Sequence, residues 1–184
     1  MNKEIIEKEN NKYIYIVQMH TNTIPANIVK IFTGYKYSHV SLSFEKNCDN
    51  TYSFGRRKVN NPLNGGFVKE NKYGEFFKKF NKTMCRVFEI EVTKKQYDEL
   101  RFIINKMEEN KERYGYDFIG TFFRFFKIPV TFKNKSVCSI FLAEVLEKTK
   151  IYKFNKRLCF VKPEDFENMR NSKLIYEGKY LEYK

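Results

Sequence analysis

Two hydrophobic rhythms run along this chain, one alternating and one helical. The β-branched and aromatic run Tyr13-Ile14-Tyr15-Ile16-Val17 predicts a buried strand. Thr23 and Pro25 then supply an N-cap and a proline near the first helical position. A helix burying Ile28, Ile31 and Phe32 is expected there, stopping near Gly34. The segment His39-Val40-Ser41-Leu42-Ser43-Phe44 alternates strictly, with Val40, Leu42 and Phe44 on an apolar face and His39, Ser41 and Ser43 on a small polar one. Turn residues from Asn47 to Asn50 lead into a returning strand, Thr51-Tyr52-Ser53-Phe54, and Asn60 to Gly66 reads as a loop.

Met84 to Val92 is the clearest alternating strand. It gives way to Thr93-Lys94-Lys95-Gln96, a capping box in which the Thr hydroxyl and the Gln amide satisfy each other's free backbone N–H groups. Tyr97, Leu100, Ile103, Ile104 and Met107 recur at helical spacing and predict an amphipathic helix. Asp117 is placed to cap a very aromatic helix through Phe118, Phe122, Phe123 and Phe126, ending before Pro129. Phenylalanines at that spacing are expected in the core. A third helix starts around Cys138 and runs through Leu146. Leu158 to Val161 reads as a short strand, Pro163 to Phe166 as the opening of a short helix, and Leu174 to Glu177 as a last strand. No repeat or linker divides the chain. A charged extension over residues 1–12 followed by one α+β domain over 13–184 is the expected organisation.

With 184 residues, 42 % of them hydrophobic, the chain has material for one buried core, which excludes disorder. No apolar run approaches the ~18 residues of a membrane-spanning helix. The N-terminus lacks a signal-peptide core, and the four cysteines show no paired spacing, so a cytoplasmic protein without disulfides is expected. The net charge of +13 invites a nucleic-acid partner. The basic residues are dispersed, however, in Arg56-Arg57-Lys58, Lys78-Lys79, Lys94-Lys95 and Lys156-Arg157, amid a whole-chain bias to Lys, Asn, Ile, Phe and Tyr that resembles low-GC codon usage. No helix-turn-helix, zinc-finger or RNA-binding signature accompanies them, which argues against nucleic acid.

The chemistry-bearing residues are few. There is no phosphate-cradling glycine loop and no zinc-ligand spacing, so neither a cofactor nor a metal is expected. Only His20 and His39 can serve a histidine-dependent mechanism. Cys138 falls in the first turn of the third helix, where free N–H groups and the positive dipole end favour a thiolate. Cys85 in its strand, Cys48 in a turn expected to be exposed and Cys159 in a short apolar run read as structural. His39 leads its strand above Ser41 and Ser43, small residues that would let a helix bring a thiol to the imidazole. His20 has no comparable small-residue face.

At these residues the chain resembles a known family. Tyr37-Ser38-His39-Val40-Ser41-Leu42-Ser43-Phe44, Tyr52-Ser53-Phe54-Gly55-Arg56 and Gly65-Gly66-Phe67-Val68-Lys69-Glu70 are similar to segments of a bacterial group within the NlpC-like papain-like hydrolases. The likeness continues through Tyr116-Asp117-Phe118-Ile119-Gly120, Val137-Cys138-Ser139-Ile140-Phe141 and Pro163-Glu164-Asp165-Phe166. With His before Cys, the order resembles the circularly permuted branch that includes lecithin:retinol acyltransferase. The resemblance implies a permuted papain-like fold, a mixed or antiparallel sheet packed against helices, with Cys138 as nucleophile and His39 as general base.

Counting along the hairpin places Ser53 where such proteins carry the group that orients the histidine. Serine departs from their usual His, Glu, Asn or Gln and brings no charge to stabilise an imidazolium. Tyr116 either lines the site and donates to an oxyanion or packs as an ordinary tyrosine. The backbone N–H of Cys138 is a further oxyanion donor, and Asp117 reads as a helix cap rather than a triad member. The implied activity is thiol-dependent hydrolysis or acyl transfer on an amide, ester or thioester, with a small-molecule, peptide or lipid-type acyl substrate. The phenylalanine-rich segment could line an acyl pocket. The alternative is a non-catalytic module of the same fold that presents its basic surface to an anionic partner. A metal-dependent nuclease ranks third and lacks the clustered carboxylates it needs.

Overall fold

In the computed structural model, which describes residues 11–21 and 35–184, eight strands form one sheet in the order β7-β6-β4-β3-β2-β1-β5-β8. The strands are β1 (Asn11–His20), β2 (His39–Ser43), β3 (Asn50–Lys58), β4 (Asn61–Asn71), β5 (Met84–Thr93), β6 (Gly115–Tyr116), β7 (Lys135–Ser136) and β8 (Ser172–Lys179). All neighbours pair antiparallel except β6 and β7, so the sheet is mixed and the fold is α+β. The helices are α1 (Glu75–Lys79), α2 (Lys94–Glu109), α3 (Phe118–Phe125) and α4 (Cys138–Lys148). The helix expected between Thr23 and Gly34 lies outside the described residues.

Local sequence accounts for most of these boundaries. The Thr93 hydroxyl accepts from the Gln96 backbone N–H while the Gln96 side chain accepts from Thr93, and α2 starts at that capping box. Asp117 accepts from the Gly120 N–H at 2.8 Å and opens α3. β1 begins at Asn11, so the last two residues of the expected N-terminal extension belong to the sheet.

Two local expectations are corrected. The stretch from Asn60 to Gly66 is not a loop, because β4 starts at Asn61 and pairs with β3 at Asn61 and again from Gly65 to Asn71, with an irregular register between the two. Pairing overrides the turn-forming residues there, and the two glycines are needed for close approach. A Cβ on Gly66 would stand 2.1 Å from the Tyr114 carbonyl oxygen, and one on Gly65 2.9 Å from the Tyr116 Cβ. Leu158–Phe160 forms a 3₁₀ turn rather than a strand, whereas the short helix expected from Pro163 is present as a 3₁₀ helix over Pro163–Asn168.

The sheet buries both faces. On one, Val40, Leu42, Phe54 and Phe67 pack with Leu100 and Ile104 of α2 and with Phe141 and Leu142 of α4. On the other, Tyr15, Val17, Met19, Cys85 and Val87 pack with Phe77 of α1 and with Tyr180. Cys48, expected in an exposed turn, is fully buried in this second cluster with a left-handed backbone.

Candidate active site

His39 is the first residue of β2, on the same side of the strand as Ser41 and Ser43. Two strands away, β4 is in register with β3 so that Thr51 pairs with Glu70. Glu70 thereby comes to the imidazole, its Oε2 lying 3.2 Å from His39 Nε2. The Thr51 hydroxyl donates to the same carboxylate oxygen at 3.4 Å. Gly55 leaves the space this pair occupies, since a Cβ there would lie 3.3 Å from Glu70 Oε1 and 3.7 Å from His39 Cε1. The two side chains are largely sheltered, at 18 % and 15 % exposure.

A line of residues without side chains leads away from His39. Gly55 pairs with Gly66, Gly66 with Gly115, and Gly115 with Lys135 of β7. β7 in turn delivers Cys138, the first residue of α4. This line of pairings ends one turn of chain before Cys138, which lies close enough to the imidazole to bear on its charge. Burial disfavours a charged His39, but the Glu70 carboxylate and the Cys138 sulfur outweigh it and hold the imidazole well above its ordinary 6.5. The carboxylate beside it favours a protonated ring.

The body of α4 does not lie on the small polar face of β2. Its Phe141 and Leu142 require an apolar surface and pack on the Val40, Leu42 and Phe54 side. Its cap residue Val137 is extended and offers no side-chain cap, leaving the N–H groups of the first turn without intrahelical acceptors. Tyr116 of β6 pairs with Ser136 of β7, two residues before Cys138. Burial raises the Tyr116 phenol, and its proximity to Cys138 adds to the rise. Tyr116 therefore keeps its phenolic proton as a hydrogen-bond donor.

Ser53, the orienting residue expected from counting along the hairpin, donates its hydroxyl to the Val40 carbonyl at 2.7 Å. Glu70 holds the imidazole instead. It closes the segment that starts at Gly65, and only the register of β3 on β4 brings it to His39. Asp117 is tied to Gly120 and, at 2.8 Å, to Arg124, as befits a cap. His20 ends β1 opposite Met84. Burial pushes the Cys48 and Cys85 thiols up to about 12, which suits inert core residues.

A cavity of about 220 Å³ lies behind the first turn of α4, lined by Asp117, Arg124, Lys133, Lys135, Ser136 and Glu144 among others. Neither Cys138 nor His39 lines it. Among the described residues no cluster of three or more His, Cys, Asp or Glu could hold a metal ion. Compared with known proteins, the sequence matches no family model and no curated protein.

Proposed function

We propose that this chain is a permuted papain-like cysteine hydrolase or acyltransferase acting on an amide, ester or thioester. The observation that carries the reading is the His39 imidazole bonded to the Glu70 carboxylate, with Cys138 near it at the start of a helix. In this mechanism the Cys138 sulfur attacks the substrate carbonyl carbon. The oxyanion that forms accepts hydrogen bonds from the Cys138 backbone N–H and the Tyr116 hydroxyl. As the carbon–leaving-group bond breaks, the His39 imidazolium gives its proton to the departing amine, alcohol or thiol. Water or an acceptor then attacks the thioester, losing its proton to His39, and the carbon–sulfur bond breaks to release the acyl product and restore the Cys138 thiolate beside the His39 imidazolium. Glu70 positions the ring and stabilises its charge throughout. The competing reading, a non-catalytic module, rests on the missing charge at Ser53, and Glu70 supplies that charge.

The test is cysteine alkylation as a function of pH, resolved peptide by peptide, in the wild type and in His39→Ala. Cys138 is expected to react at neutral pH while Cys48 and Cys85 do not, and His39→Ala should slow Cys138 alone. A Cys138 that reacts no faster than Cys48 and Cys85, or that ignores His39→Ala, overturns the nucleophile assignment.

A further inference from the structure

α3 is built inside out. Gly120 is buried, and Arg124, its side chain 8 % exposed, is paired with the buried Asp117 carboxylate, so the glycine and the arginine face the protein. The apolar side chains face away. Of thirteen exposed large hydrophobic side chains among the described residues, eight lie between 118 and 132. Phe122 is 63 % exposed, Phe125 60 % and Phe126 59 %. At 100° per residue the apolar positions of α3 sweep an arc of about 160°. Ile128 and Phe132 extend the same exposed surface beyond the helix. Monomers in water rarely present an apolar surface of this kind without a partner.

The charges around it indicate which partner. From Phe118 to Lys135 the chain contains Arg124, Lys127, Lys133 and Lys135 and no Asp or Glu. Arg124 is turned inward, whereas Lys127, Lys133 and Lys135 are exposed. A second copy meeting this face would bring like charges together. An anionic surface with an apolar interior satisfies both features at once: the rings enter the acyl boundary while the lysines meet the headgroups. An eight-residue helix rises only about 12 Å, so α3 would lie in the interface and not cross the ~30 Å hydrocarbon core.

We propose that α3 and the segment following it to Lys135 form a peripheral docking surface for an anionic lipid bilayer. The surface borders the Cys138 site, since Tyr116 precedes it and Cys138 follows it, but the inference does not depend on the thiol chemistry.

Sedimentation of the full chain with vesicles of phosphatidylcholine, alone or mixed with phosphatidylglycerol, tests it. The chain should pellet with the mixed vesicles and be released by added salt. Phe122→Ser with Phe126→Ser should weaken binding by about tenfold or more while leaving the melting temperature unchanged. Lys127→Glu with Lys133→Glu should abolish the preference for phosphatidylglycerol. Because the chain has no tryptophan, Phe122→Trp introduces a single indole whose emission should shift to the blue on the mixed vesicles. Cys138→Ala should bind like the wild type, so a failed hydrolase reading and a failed docking reading are distinguishable. A chain that stays in the supernatant with both vesicle types overturns the proposal. So does binding that survives the phenylalanine substitutions, or a dimer that those substitutions dissolve.

Discussion

α3 and α4 each follow one of the two short parallel strands at the end of the sheet, and both are predominantly apolar, yet they treat water in opposite ways. α4 buries Cys138 through Ala143 without a break, whereas α3 buries only Gly120. What separates them is where their polar groups find partners. The Asp117–Arg124 pair, together with the buried Gly120, fixes the inner side of α3, and the phenylalanines are left to the outside. α4 carries Ser139 inward with its hydroxyl donating to the Val161 carbonyl at 2.6 Å, so this polar residue does not oppose burial of its apolar neighbours. Hydrophobic content alone therefore does not decide the side a helix turns to its core; the satisfied polar contacts do.

That contrast can be broken at several points. The largest effect is expected at the head of α4, where Cys138→Ala should remove acyl-transfer activity by on the order of 10⁴-fold or more, measured against a panel of activated esters and amides. Next comes the body of the same helix: Leu142→Ala, at a fully buried position, should destabilise the fold by about 2–5 kcal/mol in chemical denaturation.

Glu70→Gln should lower activity by about tenfold or more while leaving the fold intact. Because Glu70 raises the imidazole pKa, its loss should also move the alkaline limb of the pH–rate profile to lower pH. Linkage gives the same charge a stability signature. A histidine whose folded pKa is raised contributes stability that is full below about pH 6.5 and lost as the pH rises through the raised value. The difference in melting temperature between wild type and His39→Gln should therefore shrink as the medium becomes alkaline. The smallest effect belongs to α3, where Phe122→Ala should change stability by no more than about 0.5 kcal/mol in the absence of lipid. A large loss there would mean that α3 packs like α4.

Patterns carried by neighbouring residues are legible in the sequence itself. The capping box at Thr93 and Gln96, the cap at Asp117, the alternation of β2 and β5 and the start of α4 at Cys138 all depend on contacts a few residues apart. What stays hidden depends on distant partners. Glu70 reaches His39 only through the pairing of β4 with β3, which no local pattern encodes. Cys48 sits among turn residues, but its side chain is enclosed by a cluster drawn from both ends of the chain. The helical spacing of the phenylalanines predicts α3 as a helix. It does not predict their exposure, because a salt bridge and a glycine on the opposite side fix the direction in which they point.

The hairpin of β3 and β4 also carries a constraint on how such a gene can change length. Side chains alternate faces with every residue, and Glu70 stands beside His39 because Thr51 lies opposite it. Deleting one codon between Tyr52 and the turn, with the turn itself kept, would set Lys69 opposite Thr51. An ammonium would then replace the carboxylate beside the imidazole, and the charge that favours the protonated ring would change sign. Added codons at the turn between Lys58 and Asn61 would enlarge the loop and leave that pairing in place. Natural length variation is thus expected to collect at the hairpin tip, while the strand segments from Thr51 to Arg56 and from Gly65 to Glu70 keep a fixed count.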